Sequence, residues 1–223
     1  MEKQKVEALV TRLVTLYRII IPEVVRVVIF SDVPKSAGTK KAVKLLDSIA
    51  ESGNLLEAHM FPGSGARFFT AKGATPAAES IEYDLATLWF CFGTDQRRYR
   101  VENRELKEVL GEKTPHHHIR HVISDEVDGG PSIFRIYPTT TTVKNTVAHL
   151  KKKHIPDAQK KFSDWVRRAD YGFAVLVDSD QKKIDIDEEL NRKPPGGTPL
   201  NTQALIVTAS VPTSRNIGDW IST

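Results

Sequence analysis

Between residues 36 and 70 the hydrophobic pattern changes its period at a glycine, from that of a helix to that of a strand. Before Gly53, Val43, Leu46, Ile49 and Ala50 recur at the spacing of one helix face. After it, Leu56, Ala58 and Met60 alternate with Glu57 and His59, as in a strand with two different faces. Phe61-Pro62-Gly63-Ser64-Gly65-Ala66 then reads as a tight turn, and Arg67-Phe68-Phe69-Thr70 as the returning strand. Gly53 stands where a left-handed helix terminus favours glycine, and Ser36 or Thr39 is expected to cap the helix at its start.

Upstream, Val6, Leu9, Val10, Leu13, Leu16 and Tyr17 predict an amphipathic helix over residues 5–20. Pro22 suits the first turn of a short second helix running to about Phe30, which Ser31-Asp32-Val33-Pro34 ends. Three helices followed by a hairpin with a glycine-rich tip predict a winged helix-turn-helix over residues 1–75. Such a unit presents its third helix to the major groove of double-stranded DNA. Lys35, Thr39, Lys40, Lys41 and Lys44 are the expected DNA-contacting residues on that helix, with Arg67 on the wing. Residues 1–80 hold 11 basic against 8 acidic side chains, so the clustering of the lysines matters more than their sum.

The chain has 223 residues and a formal net charge of +4, which permits a nucleic-acid partner without requiring one. Its single cysteine, Cys91, sits in the apolar run Leu88 to Phe92 and reads as a buried thiol. One cysteine forms no internal disulfide, and a reducing, cytoplasmic setting is expected. No apolar run is long enough for a membrane span, and the amino terminus lacks a signal-peptide pattern.

Residues 76–84 read as a linker, and 85–223 as an α/β domain with a mixed sheet, so the expected class is α+β. Leu85 to Phe92 is predicted as a buried strand, Glu102 to Leu110 as a helix, and His121–Ser124 and Ser132–Tyr137 as strands around an Asp128-Gly129-Gly130-Pro131 turn. Thr139 to Lys153 reads as a helix, and Pro156 opens another that carries Phe162, Trp165 and Val166. Phe173 to Val177 is predicted as a buried strand, with the alternating Lys183-Ile184-Asp185-Ile186-Asp187 as its hairpin partner. Ala204 to Ala209 closes the domain as a last strand.

Two further basic patches are candidates for phosphate contacts. Arg97, Arg98 and Arg100 surround Tyr99, and residues 140–170 carry eight basic against three acidic side chains, including Lys151 to Lys153.

The stretch from Ser36 to Gly73, with its capped helix, Pro-Gly-Ser-Gly turn and Arg-Phe-Phe-Thr-Ala-Lys-Gly strand, resembles winged-helix regulators of the MarR or PadR kind. It is also similar to the N-terminal part of the plasmid replication-relaxation family. The fragments His116-His117-His118-Ile119-Arg120-His121-Val122, Ile155-Pro156-Asp157-Ala158 and Phe173 to Asp178 extend that second resemblance. It implies a winged helix joined to a nuclease-like α/β region, acting in transcription regulation or in plasmid replication and maintenance, with a homodimer reading two half-sites.

A metal-dependent nuclease is the enzymatic alternative. Asp157, Asp178, Asp180 and Lys182 follow the acid, acid, x, lysine order in which carboxylates hold Mg²⁺ and lysine assists the attacking water. Against it, residues 179–182 read as a turn, and Asp157 suits a helix first turn. His116, His117, His118 and His121 lack a carboxylate or cysteine at ligand spacing, so no metal site and no cofactor is expected, Mg²⁺ apart if the nuclease holds. A protein-interaction role for the winged helix is the third reading. Double-stranded DNA is the expected partner, without a membrane.

Overall fold

A computed structural model describes residues 3–53, 55–93, 98–111, 119–125, 132–139, 141–192 and 204–222. The chain divides into two units. Residues 1–95 together with 212–223 form the first, and 96–211 form the second. The division falls after residue 95, beyond the linker expected at 76–84, and the last twelve residues return to the first unit.

The first unit begins with α1 (Lys3–Tyr17), β1 (Ile19–Ile20), α2 (Pro22–Ile29) and α3 (Lys35–Glu51), followed by β2 (Leu56–Met60) and β3 (Arg67–Ala71). Val6, Val10, Leu13, Val14 and Tyr17 are the buried stripe of α1. The helix stops earlier than its periodicity suggests. Arg18 turns to a positive φ of 69°, and Ile19 and Ile20 pair as a strand with Thr70 and Phe69. The result is a three-stranded antiparallel sheet in the order β1-β3-β2. Pro22 occupies the first turn of α2, as expected. α3 begins one residue before Ser36, with Pro34 at its N-cap, so neither Ser36 nor Thr39 caps it. At its other end Gly53 takes a φ of 75°, the left-handed conformation that glycine adopts without steric cost.

The residues read as a linker and a strand are instead one helix, α4 (Ala78–Phe92). Asp84 to Leu88, Phe90 and Cys91 are all buried, so α4 is apolar almost all round and shows no stripe. The first unit is completed by α10 (Ile217–Ser222). Trp220 meets Trp89 of α4 edge to face at 5.6 Å between centroids. The backbone N–H of Ser214 donates to the Glu82 carboxylate at 3.0 and 3.2 Å, and the Ser214 hydroxyl donates to it as well.

The second unit is built on a five-stranded mixed sheet in the order β4-β5-β6-β7-β8. β4 (Arg98–Val101), β5 (His121–Ser124) and β6 (Ser132–Pro138) are antiparallel neighbours, whereas β6, β7 (Tyr171–Val177) and β8 (Leu205–Ser210) run parallel. α5 (Asn103–Leu110) follows β4 behind a capping box formed by Glu102 and Glu105. The crossover from β6 to β7 carries α6 (Val143–His149), a π-helical segment (Leu150–His154), α7 (Ile155–Lys161) and α8 (Ser163–Arg167). Thr142 caps α6, three residues later than the predicted helix start. Ile133, Tyr171, Phe173, Val175 and Val177 on one sheet face pack with Val147, Leu150, Ile155, Phe162 and Val166 from the helices.

The crossover from β7 to β8 is α9 (Asp180–Asn191), which replaces the predicted hairpin strand at 183–187. Ser179 caps it, accepting from the Lys182 N–H at 3.4 Å. In a helix Ile184 and Ile186 point to different sides, and accordingly Ile186 is buried while Ile184 is exposed. The predicted turn at 128–131 and loop at 193–199 lie outside the described residues.

Candidate nucleic-acid interface

α3 has two chemically distinct faces. Gly38, Ala42, Leu46 and Ile49 are buried at helical spacing and hold the helix to its unit. Opposite them, Ser36, Lys40, Lys44 and Asp47 form one ridge, with Lys41 beside it. Lys35, Lys40, Lys41 and Lys44 are all exposed, and Thr39 is half-buried at the edge of the ridge. Lys35 is the first helical residue, at the positive end of the helix dipole, whereas Lys40, Lys41 and Lys44 lie one to three turns further along.

Arg67 does not stand free on the hairpin. Its guanidinium reaches back to Asp47 on α3 with hydrogen bonds of 3.0 and 2.5 Å, and lies 5.2 Å from the Phe69 ring centroid. The pair joins the tip end of the hairpin, where Arg67 stands opposite Met60, to α3 and neutralises the one carboxylate on the lysine ridge within a turn of Lys44. Asp47 is the residue of this surface that was not singled out from the sequence, although its position three residues after Lys44 is visible in the chain. The hairpin tip is small, with Arg215 beside Gly63 and Gly218 beside Ser64. Pro62, Gly63 and Gly65 are exposed, and both glycines have positive φ.

The proposed nuclease residues do not converge. Asp157 sits in the first turn of α7 and lines a cavity with Arg135 and Tyr171, the first residue of β7. Asp178 lies past the other end of that seven-residue strand, which rises by about 20 Å. There Asp178 pairs with Lys182 at 2.7 Å, and Asp180 accepts from the Ser210 hydroxyl at 2.6 Å. No group of three His, Cys, Asp or Glu side chains among the described residues is placed to hold a metal ion. His116 to His118 lie outside the described residues. His121 is buried in β5, with its Nε2 3.0 Å from the Tyr171 hydroxyl. Burial, and then the nearby charge of Arg135, push the His121 pKa down to about 3.

The other basic patches are less available than the sequence suggests. Arg98 is 9% exposed, and Arg97 lies outside the described residues. Arg167 and Arg168 pair with Asp164 and Asp170, while Lys151 donates to the carbonyls of Glu189 and Leu190 at the end of α9. Lys144, Lys152, Lys153, Lys160 and Lys161 remain exposed. Among the described residues, no helix is long and apolar enough to cross a membrane.

No protein-family model, no curated protein and no solved structure matches the chain.

Proposed function

We propose that the first unit is a winged helix-turn-helix and that the chain binds double-stranded DNA through α3, acting in transcription control or in plasmid replication and maintenance. The observation that carries this reading is the exposed pair Lys40 and Lys44, with Lys41 beside it, on a helix whose opposite face is buried; Lys35, also exposed, stands at the helix start on the side of Gly38 and Ala42. The order of elements supports it, since α3 is followed by a hairpin with a narrow glycine tip, and β1 ties that hairpin to the segment between α1 and α2. A helix of about 10 Å diameter fits the major groove, while the lysines neutralise flanking phosphates. Thr39 at the edge of the ridge is the candidate for a base contact. Arg67 enters as the residue that holds and neutralises Asp47, not as a phosphate ligand.

The reading is of binding without cleavage, because Asp157 is remote from Asp178 and Asp180, and each of the latter already has a partner. A homodimer would set two α3 helices against two half-sites, and the stoichiometry on duplex DNA measures this.

The test is titration of duplex DNA with the full chain over a range of salt, beside Lys40→Ala/Lys44→Ala. The variant should bind more weakly, and its slope of log K against log salt should be shallower by roughly 1.8, about 0.9 per lost phosphate contact. Both lysines are exposed, so its circular dichroism should be unchanged. Equal affinity and slope in the two proteins would overturn the reading.

A further inference from the structure

A second cationic site lies in the α/β unit, inside a cavity. About 300 Å³ of space opens between the sheet and the helices of the β6–β7 crossover. Arg135 of β6, Lys153 and His154 of the π-helical segment, Lys161 of α7 and Tyr171 of β7 line it, and the carboxylate there is Asp157. Three permanent cations therefore face one acid. Arg135 is half-buried and, among the described residues, forms no ion pair with a carboxylate. A guanidinium that grips no carboxylate of its own has its planar fork available to an anion that enters the cavity.

The charge of Arg135 is felt by the two histidines beside it. His154 has its pKa lowered to about 4 by partial burial and then by Arg135, Lys153 and His149, with Asp157 opposing. His121 is neutral for the same two leading reasons. Both rings are thus uncharged hydrogen-bonding groups near neutral pH. His154 also packs edge to face on Tyr137 at 4.9 Å, which holds its plane. The π-helical segment is the local cause of the site. The wider turn at Leu150–His154 presents Lys153 and His154 to the cavity, and Lys151 anchors the same turn to the end of α9. Helical irregularities of this kind are frequent where a chain binds something.

We propose that this cavity binds a small phosphate-bearing anion, with the Arg135 guanidinium gripping two oxygens, Lys153 and Lys161 balancing its charge, and His154 donating a neutral hydrogen bond. The planar fork of arginine matches two phosphate oxygens, and a dianion answers three cations better than a single carboxylate does. The cavity is at the lower end of the volumes that small ligands occupy, which favours a phosphate monoester or a diphosphate over a larger cofactor. None of these residues belongs to α3, so phosphate capture and duplex binding can each fail without the other.

The experiment is calorimetric titration of the full chain at pH 7 with inorganic phosphate, and separately with pyrophosphate, against chloride at matched ionic strength. Saturable binding is expected, and Arg135→Gln should weaken it at least about tenfold, the loss of a bidentate charge-assisted contact. Lys153→Met/Lys161→Met alters two exposed side chains and should also weaken it. This second variant carries the decision if Arg135→Gln does not fold. The ring signals of His154 should titrate at higher pH with phosphate bound, since a dianion opposes the influence of Arg135 and Lys153. Absence of saturable binding, equal affinity for chloride, or full affinity in both variants would overturn the proposal.

Discussion

The guanidinium of Arg67 and the carboxylate of Asp47 meet through two hydrogen bonds across the gap between β3 and α3. Their side chains are 40% and 30% exposed, so the pair contributes at most about 1 kcal/mol to stability. Its larger effect is electrostatic. Removing Arg67 leaves an unpaired carboxylate on the ridge that carries Lys40 and Lys44. Arg67→Ala is therefore expected to weaken duplex binding at low salt, and Arg67→Ala/Asp47→Ala to recover most of the loss. A double-mutant cycle on DNA affinity measures this. If the double variant binds as poorly as Arg67→Ala alone, Arg67 itself contacts phosphate.

The burial of His121, with the charge of Arg135 nearby, makes stability depend on pH with a definite sign. The folded-state pKa of His121, about 3, lies below the ordinary 6.5. Between those values the unfolded chain binds the extra proton, so the stabilisation is complete above pH 6.5 and declines as pH falls toward 3. The slope from this residue is at most about 1.4 kcal/mol per pH unit. Urea unfolding at pH 7 and pH 4.5 should show a smaller difference for His121→Leu than for the unaltered chain. At pH 7, Tyr171→Phe should cost about 1–3 kcal/mol, because it leaves a buried ring nitrogen without its partner.

Gly172 of β7 leaves no room for a side chain against β8. A Cβ there would lie 2.3 Å from the carbonyl oxygen of Leu205, its register partner. Backbone has no rotamer with which to yield, so Gly172→Ala is expected to destabilise by about 1–3 kcal/mol or more. The urea midpoint should fall with an unchanged m-value, and an unmoved midpoint would contradict the geometry.

Ser179→Ala removes the cap that starts α9 in place of a strand. A loss of about 1 kcal/mol is expected. Because Lys182 and Asp178 bridge the same turn at 2.7 Å, the helix should persist, and circular dichroism should change little.

The parts of the fold that were readable in the sequence are those whose own residues determine them. α3 announces itself through Val43, Leu46 and Ile49, and the β2–β3 hairpin through Pro62, Gly63 and Gly65. The first strand was not readable, because Ile19 and Ile20 continue the apolar pattern of α1 and become a strand only through partners fifty residues away. α4 was hidden for the opposite reason. A helix buried on nearly every side has no periodicity, so Leu85 to Phe92 gave no angle to measure. In α9 the alternation Ile184-Asp185-Ile186-Asp187 imitates a strand, whereas burial selects Ile186 alone.

The candidate site divides in the same way. The exposed lysines of α3 were legible because exposure follows from helical phase. The partner of Arg67 was not, since twenty residues separate it from Asp47 in the chain. Arg135 and His154 drew no attention as single residues, because what distinguishes them is a cavity that only the folded crossover creates.

The path of the chain has a practical corollary. The polypeptide leaves its first unit after residue 95 and re-enters it at Pro212, so the second unit is spliced into the first. No single cut can yield two intact halves. A fragment ending near residue 95 would expose Trp89 and strand Glu82 without Ser214. Lost DNA affinity in such a piece would then report unfolding, not a missing contact.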